Sequence, residues 1–260
     1  MTDQTDRFSV AGRTAVVTGA SSGIGRAIAE EFAADGADVV VCSREQENVD
    51  PVAEGIEESD REGSALAVEC DVTDRDAVEA LVEATVEEFG GLDVLVNNAG
   101  ASFMANFEDI SPNGWQMILD INLGGTYNCT QAAEEYLKDG GGSVVNVASV
   151  AGQQGAPYMS HYGAAKAAVV NLTSTLAFEW ASDGVRVNCI APGFVATPGL
   201  ASQMGISADD VDRESVERRV GVSEEIADVA RFLASDAASF VVGETVTAAG
   251  VPDVMESPDV

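Results

Sequence analysis

The chain has 260 residues, with 13 Lys and Arg against 44 Asp and Glu, a formal net charge of −31. Because nucleic-acid binding requires clustered basic side chains that neutralise phosphates, this balance argues against such a partner. Hydrophobic residues make up 46% of the chain, which is ordinary for a globular protein with a core. Salt screens the self-repulsion of so many like charges, so we expect a halophilic protein from a high-salt cytoplasm. The alternative is an acidic enzyme from a low-salt cell.

The four cysteines, Cys42, Cys70, Cys129 and Cys189, stand far apart and form no C-x-x-C pair. The sequence therefore predicts neither a metal site nor a disulfide framework. The first residues lack the basic and apolar regions of a signal peptide, and no apolar run approaches the roughly 18 residues of a membrane span. We expect a cytoplasmic protein without a membrane partner.

Short apolar runs alternate with helical patterns along the chain. Strands are predicted at 13–18, 37–42, 64–70, 92–97, 142–148, 185–191 and 244–249. Helices are predicted at 23–35, 75–89, 124–138, 161–182 and 223–235. The alternation predicts an α/β fold, with one doubly wound, seven-stranded parallel sheet covered by helices on both faces. Since no linker divides the sequence, we expect a single domain over 1–260, with a core at about 10–250 and a tail at 251–260 that is either loose or docked on a partner.

The first predicted strand runs into TGASSGIG (18–25), which carries three glycines and opens a helix. Such a turn directs backbone N–H groups and the helix dipole at an anion such as a pyrophosphate. The alternative interpretation is a plain strand-to-helix turn. The cofactor interpretation predicts contacts from Gly19, Ser21, Ser22, Gly23, Ile24 and Gly25.

The end of the second strand bears on the choice of cofactor. Ser43 stands where an acidic residue would accept from the ribose of NAD, and Arg44 follows it. An arginine suits the 2′-phosphate of NADP, so we expect NADP, with NAD as the alternative because Glu45 is adjacent. Ligands bind at the carboxyl ends of strands in open α/β sheets, so the next two strand ends are also predicted to contact the cofactor. Their residues are Asp71, Val72, Asn98, Ala99 and Gly100.

Six sequence markers occur in a fixed order. They are TGASSGIG (18–25), NNAG (97–100), DINLGG (120–125), VNVAS (145–149), YGAAK (162–166) and APGFVAT (191–197). In this combination the sequence resembles the short-chain dehydrogenase/reductase family over 12–250. The resemblance implies a Rossmann-type sheet, a nicotinamide cofactor, and reversible hydride transfer between an alcohol and a carbonyl.

The resemblance also implies roles for individual residues. It implies a carbonyl-positioning serine at Ser149, an acid/base tyrosine at Tyr162, a lysine at Lys166 and a proton-relay asparagine at Asn122. Tyr162 and Lys166 would contact the cofactor as well. The segment that holds the cofactor amide is implied to be Pro192, Gly193, Val195 and Thr197. Tyr158 is a poorer match to the acid/base tyrosine, because no lysine stands four residues after it.

The chemistry of carbonyl reduction explains why these residue types are needed. Tyrosine has a pKa of about 10, which is too high for an effective base near neutrality. Tyr162 and Lys166 are four residues apart on one helix face, so we expect the ammonium to lower the pKa of the phenol. The alternative for this pair is a core contact with a snorkelling lysine. His161 is interpreted as a helix-start residue beside the site.

The segments around the predicted site suggest a small-molecule pocket that is apolar with a few polar groups. Its predicted substrate contacts are Phe103, Gln154, Phe194 and Met204. The stretch 198–213 resembles the mobile lid of the family. The sequence is most similar to members acting on acyl thioesters, which implies a 3-oxoacyl/3-hydroxyacyl substrate. The alternatives are a sugar (glucose 1-) dehydrogenase, an enoyl thioester reductase and a non-catalytic nucleotide-binding sensor.

Helix 161–182 is apolar on more than one face, which predicts burial on two sides. One side would pack on the sheet and the other on a second subunit, giving a homodimer or homotetramer; the alternative is a wholly internal helix.

Two departures from the family pattern bear on the expected subunit contact and the expected cofactor. Ala248, Ala249 and Gly250 replace the usual Asp-Gly-Gly near the C-terminal interface, and Ser22 replaces a basic residue common in NADP-preferring members.

Overall fold

The structure is a computed structural model that describes residues 6–59 and 63–252. Seven strands form one parallel sheet in the order β3-β2-β1-β4-β5-β6-β9, and two short strands pair beside it. In chain order the strands are β1 Thr14–Thr18, β2 Asp38–Ser43, β3 Ala65–Glu69, β4 Val94–Asn97, β5 Ser143–Val147, β6 Arg186–Pro192, β7 Phe194–Val195, β8 Val220–Gly221 and β9 Thr245–Ala248. The predicted strands and the fold class are confirmed.

The helices alternate with the strands of the sheet. They are α1 Gly23–Ala34, α2 Gln46–Glu57, α3 Arg75–Phe89, α4 Pro112–Leu119, α5 Gly125–Lys138, α6 Ser160–Trp180, α7 Pro198–Met204 and α8 Ser223–Ala234. The five predicted helices are present, and α2, α4 and α7 are additional. The signal for α2 was its buried residues Val49, Val52, Ala53 and Ile56, which follow helical spacing.

Both faces of the sheet are buried, as expected for parallel strands. Val17 and Val39 face a core cluster shared with α1, α2 and α8. Val16 and Val40, one position away on the same strands, face a second cluster shared with α3 and α5. This alternation explains why the strands are near-continuous apolar runs, since neither face is exposed to water.

The order of the strands reverses between β1 and β4, which are neighbours in the sheet although α1 to α3 lie between them in the chain. The loops after the two strands therefore diverge to opposite sides and leave a crevice at their carboxyl ends. Such a crevice is where ligands bind in open α/β sheets.

Helix α6 is buried on one side only. His161 and Val169 are fully buried, whereas Phe178 is 87% exposed. The alternative of a wholly internal helix is therefore wrong for the single chain. At the C-terminus, Val251 and Pro252 are exposed, and the remaining residues of the predicted tail lie outside the described residues.

Candidate active site

The glycine-rich turn between β1 and α1 follows a backbone path suited to glycine. Gly19 has φ of +65°, and a Cβ on it would lie 2.8 Å from the Cα of Ala99. A Cβ on Gly25 would overlap the side-chain nitrogen of Asn98. These close approaches seat the turn directly against the loop that follows β4, so neither position accepts a side chain without displacement.

Hydrogen bonds of Asn98 link this turn to the end of β4. Its Nδ2 donates hydrogen bonds to the carbonyl oxygens of Thr18 and Gly19, at 2.8 and 3.1 Å. In return, the hydroxyl oxygen of Thr18 accepts from the backbone N–H groups of Asn98 and Ala99, each at 3.0 Å. The Asn98 side chain thus positions the turn. Thr18 was not among the predicted residues, and its signal was a hydroxyl at the end of an otherwise apolar strand.

The N-terminus of α1 has the features of an anion site. The first N–H groups of an α-helix have no partner within the helix, and the Ser22 side chain makes no capping hydrogen bond in the described chain. The amides of Gly23, Ile24 and Gly25 therefore suit a phosphate group. Ser21 and Ser22 lie in the same turn. The residues present fit the pyrophosphate of a dinucleotide.

The segment after β6 meets the glycine turn. A Cβ on Gly23 would lie 3.1 Å from the Cγ2 of Thr197, and the Oγ1 of Thr197 accepts from the backbone N–H of Leu200 at 3.2 Å. Pro192 and Val195 are buried in β6 and β7. Gly193 allows the close approach of Ala249, whose Cβ would be 2.9 Å from an added Cβ. The two predicted cofactor segments therefore lie side by side.

A cation and a carboxylate lie at the same edge of the sheet, since Arg44 follows β2 and Asp71 follows β3. Arg44 is exposed and has no ion pair within the described residues. The Ser43 hydroxyl donates to the carbonyl oxygen of Glu45 at 3.0 Å. One carboxylate oxygen of Asp71 accepts from the N–H and the hydroxyl of Thr73, at 2.9 and 2.7 Å. Val72, the next residue after Asp71, is buried.

The predicted catalytic residues converge where β5 and α6 meet. Tyr162 and Lys166 lie one turn apart on α6, and Ser149 follows β5 and caps the short 3-10 turn Val150–Gly152. A Cβ on Gly152 would lie 2.6 Å from the carbonyl carbon of Lys166, so this glycine lets the turn press against α6. The side chains of Ser149 and Tyr162 interact, and this interaction influences the pKa of Tyr162.

The titration of the pair differs from the expectation. Burial raises the pKa of Tyr162, and the interaction with Ser149 acts in the opposite direction. The Lys166 ammonium donates to the carbonyl oxygen of Val147 at 2.8 Å and lies 5.7 Å from the centre of the Tyr162 ring. Burial lowers the pKa of Lys166 to about 8. Desolvation therefore outweighs the influence of the ammonium on the phenol, and Tyr162 is protonated near neutral pH.

Asn122 lies in the π-helical segment Asp120–Gly124, which interrupts the path from α4 to α5. Its Nδ2 donates to the carbonyl oxygens of Ala101 and Ile118, at 2.8 and 2.9 Å. Its Oδ1 is buried and has no partner in the described chain. This oxygen and the Lys166 ammonium both lie within 3.5 Å of the position that a Cβ on Gly100 would take. Gly100 therefore leaves space between them.

The predicted substrate residues are distributed around this site. Phe103 is half-buried, with its ring centre 4.2 Å from that of His161. Gln154 lines a depression of about 750 Å³ formed by the loop 151–157 and the Gly163 side of α6, a lining that does not include Tyr162. Phe194 and Met204 are 56% and 53% exposed, and they lie on β7 and α7.

Two further residues, His161 at the start of α6 and Tyr158 just before it, have unusual surroundings or backbone. His161 is fully buried, and neither ring nitrogen has a hydrogen-bond partner in the described chain. Burial lowers its pKa. Tyr158 is 58% exposed and has φ of +66°, which is uncommon for a bulky residue.

Within residues 6–59 and 63–252, the acidic, cysteine and histidine side chains form no group that could hold a metal ion. The same residues contain no helix that is long and apolar enough to cross a membrane.

Comparison with known proteins decides the family. The sequence profile of the family described as enoyl-(acyl carrier protein) reductase matches residues 19–250. The 3-oxoacyl-[acyl-carrier-protein] reductase of Thermotoga maritima is 38% identical over 240 residues, which are 90% of this chain and 95% of that protein. This chain belongs to the short-chain dehydrogenase/reductase family. As a family member it is an NAD(P)-dependent oxidoreductase.

Solved structures of the family carry both forms of the cofactor. A candidate gluconate 5-dehydrogenase from Beutenbergia cavernae, with NADP bound at low occupancy, is 39% identical with a TM-score of 0.84, over 94% of this chain and 98% of that one. A 7α-hydroxysteroid dehydrogenase in complex with NADH and a 7-oxo steroid is 31% identical with a TM-score of 0.87. The short-chain dehydrogenase/reductase fold is thus established for this chain.

Proposed function

We propose that this short-chain dehydrogenase/reductase reduces the keto group of a 3-oxoacyl thioester, or oxidises the corresponding 3-hydroxyacyl thioester. The observation that carries the proposal is that Ser149, Tyr162 and Lys166 lie together where the carboxyl end of β5 meets α6. The name of the Thermotoga maritima relative supports this substrate class.

Tyr162 acts as the acid in the reductive direction. Because burial raises its pKa, the phenol is protonated near neutrality and is ready to donate its proton to the developing alkoxide. The Ser149 hydroxyl donates a hydrogen bond to the same substrate oxygen, which stabilises the charge that develops on it. When bound, the nicotinamide cofactor supplies the hydride.

Lys166 and Asn122 return the proton. The Lys166 ammonium is fixed by Val147 and stands on the Tyr162 side of α6, so its charge stabilises the phenolate left after transfer. The unpaired Oδ1 of Asn122 and the space beside Gly100 suit a water molecule that connects Lys166 to solvent.

The cofactor would lie along the carboxyl edge of the sheet. Its pyrophosphate would bind the amides at the start of α1, and its adenosine would lie between Arg44 and Asp71. We propose NADP as the preferred cofactor, because Arg44 is an exposed cation without an ion pair in the described part of the chain. Val195 and Thr197 would hold the nicotinamide amide, and the remaining proposed contacts are Ser43, Val72, Asn98, Ala99, Gly100, Pro192 and Gly193.

Phe103, Gln154, Phe194 and Met204 are proposed to surround the acyl group. The exposure of Met204 fits the family's lid at 198–213, since apolar side chains on a closing segment become buried against the substrate. The comparisons also support two alternative substrate classes. The matched family description favours an enoyl thioester reductase, and the Beutenbergia cavernae structure favours a sugar-type substrate.

The test is a panel of assays that follow NADPH oxidation for the thioesters and NADP reduction for the sugars. We expect turnover with acetoacetyl thioesters, and turnover that is about 10²- to 10⁴-fold slower in Tyr162→Phe. Turnover of crotonyl thioesters but not of acetoacetyl thioesters would favour the enoyl alternative. Oxidation of glucose or gluconate with NADP, without thioester reduction, would favour the sugar alternative.

We also propose that the protein is cytoplasmic, is adapted to high salt and forms a homodimer or a homotetramer. Each subunit would fold as one domain. The exposed Phe178 on the outer side of α6 supports a subunit contact there. At the C-terminal edge, Gly250 has φ of +69° and a Cβ on it would overlap the carbonyl of Arg218, so the glycine of the family's motif remains necessary.

A further inference from the structure

We propose that His161 is a positioning residue that sets substrate selectivity by fixing the ring of Phe103 in the pocket wall. The inference rests on the proposed function, because it concerns which carbonyl compounds reach Tyr162. His161 itself is fully buried, so it acts through Phe103 and does not touch the substrate.

The ring of Phe103 lies close to two helices. Its centre is 4.2 Å from that of His161 on α6, with the planes at 64°, the edge-to-face arrangement that aromatic rings prefer. A Cβ on Gly114 of α4 would lie 3.3 Å from the Cζ of Phe103. These two neighbours restrict the orientations open to the ring.

A second contact joins the same two segments. The backbone N–H of Ala105 donates to the carbonyl oxygen of Tyr158 at 2.9 Å. Tyr158 adopts its left-handed backbone where this contact is made, and such strain persists where the surrounding structure enforces it. The loop after β4 and the start of α6 thus form one wall, adjacent to Tyr162.

Hydrophobic burial alone does not account for a histidine at this position. Both ring nitrogens lack partners in the described chain, and a buried polar group without a hydrogen bond costs stability. A leucine would fill similar space without that cost, but it has no flat ring edge to present to Phe103. An aliphatic residue at position 161 would therefore lose the ring contact with Phe103.

The experiment compares two thioesters of N-acetylcysteamine, 3-oxobutanoyl and 3-oxo-3-phenylpropanoyl, which carry a methyl and a phenyl group, respectively, beside the reacting carbonyl. The measured quantity is the ratio of kcat/KM for the bulky substrate to that for the small one. In His161→Leu the ring of Phe103 is released, and we expect this ratio to rise by about fivefold or more. His161→Phe keeps a ring edge and should leave the ratio within about twofold of the wild type.

Two further variants separate this role from a general effect on the core. Phe103→Leu should raise the kcat/KM ratio as His161→Leu does. The ratio of the double variant should be no higher than that of either single variant, because both substitutions remove the same contact. Val169→Ala truncates another fully buried residue of α6, in a different core cluster, and should leave the ratio unchanged. If His161→Leu does not fold, His161→Met takes its place, since methionine fills irregular space.

An unchanged ratio in His161→Leu, or additive effects in the double variant, would overturn the inference while leaving the proposed function intact. If the wild-type enzyme reduces neither thioester, the proposed function is wrong and this inference falls with it.

Discussion

The Nζ of Lys166 lies 5.7 Å from the centre of the Tyr162 ring and donates a 2.8 Å hydrogen bond to the carbonyl of Val147. The backbone, rather than the phenol, thus fixes the ammonium. Lys166 is buried and its pKa is about 8, so its charge is lost within an accessible range of pH.

The first prediction concerns the pH dependence of carbonyl reduction. Because Lys166 loses its proton as pH rises through about 8, the stabilisation of the Tyr162 phenolate disappears, and kcat should fall above that pH. Measured pH profiles of kcat with saturating NADPH check this. Lys166→Arg keeps its charge throughout and should remove the break near this pH, even if its activity is lower. A profile flat to pH 10 in the wild type would contradict the role of Lys166.

The pKa of Lys166 also has a consequence for stability. It is lower in the folded protein than in the unfolded chain, so between the two pKa values the unfolded chain binds more protons. The contribution of Lys166 to stability therefore rises with pH from about 8 toward 10.5. Lys166→Met should abolish that part of the pH dependence, measured by urea unfolding.

Tyr162→Phe should lower kcat by about 10²- to 10⁴-fold, because it removes the acid that protonates the alkoxide. Cofactor binding, measured by fluorescence titration with NADPH, should change little. Tyr158→Phe is the matched control, since Tyr158 is an exposed tyrosine four residues earlier. If Tyr158→Phe is the inactive variant, the assignment of the acid is wrong.

Asn98→Ala should weaken both cofactor binding and folding. The change leaves the carbonyls of Thr18 and Gly19 without their side-chain partner, which costs about 1–3 kcal/mol of unfolding free energy. Asn106→Ala removes an exposed hydrogen bond to Asp109 and serves as the control. Equal small effects of the two variants on stability and on NADPH affinity would show that the turn does not depend on Asn98.

Arg44→Ala should raise KM for NADPH by about tenfold and leave KM for NADH unchanged, because only NADPH carries the 2′-phosphate. Arg75→Ala, which removes an exposed arginine paired with Glu79 on α3, is the control for loss of positive charge. The same NADPH-to-NADH ratio in wild type and Arg44→Ala would contradict the proposed preference.

The melting temperature should rise with KCl. The formal charge of −31 disfavours the compact state, and the Debye length falls from about 10 Å at 0.1 M to about 3 Å at 1 M. Scanning calorimetry across this range measures the effect. A melting temperature that is constant or falls with KCl would contradict adaptation to salt.

The strands and the glycine turn could be predicted because each is specified by neighbours in the chain. A strand buried on both faces is a continuous apolar run, as in β1, and a left-handed turn such as that at Gly19 calls for glycine. The shared helix face of Tyr162 and Lys166 follows from helical periodicity alone.

The contacts that tune the site could not be predicted, because they join residues distant in sequence. Asn98 bonds to Thr18 from 80 positions away, and the ring of Phe103 meets His161 across the fold. The direction of the pKa shift of Tyr162 was also missed, since it depends on burial by surrounding elements rather than on the lysine one turn away.

The sequence by itself thus determined the parallel sheet and the family, and it predicted the set of Ser149, Tyr162 and Lys166, because periodicity and short motifs are local properties of the chain. Only the tertiary structure decided which atoms each of these residues reaches and how far each is removed from water. Distances and desolvation arise when separate elements pack together, and they control the proton chemistry of the site.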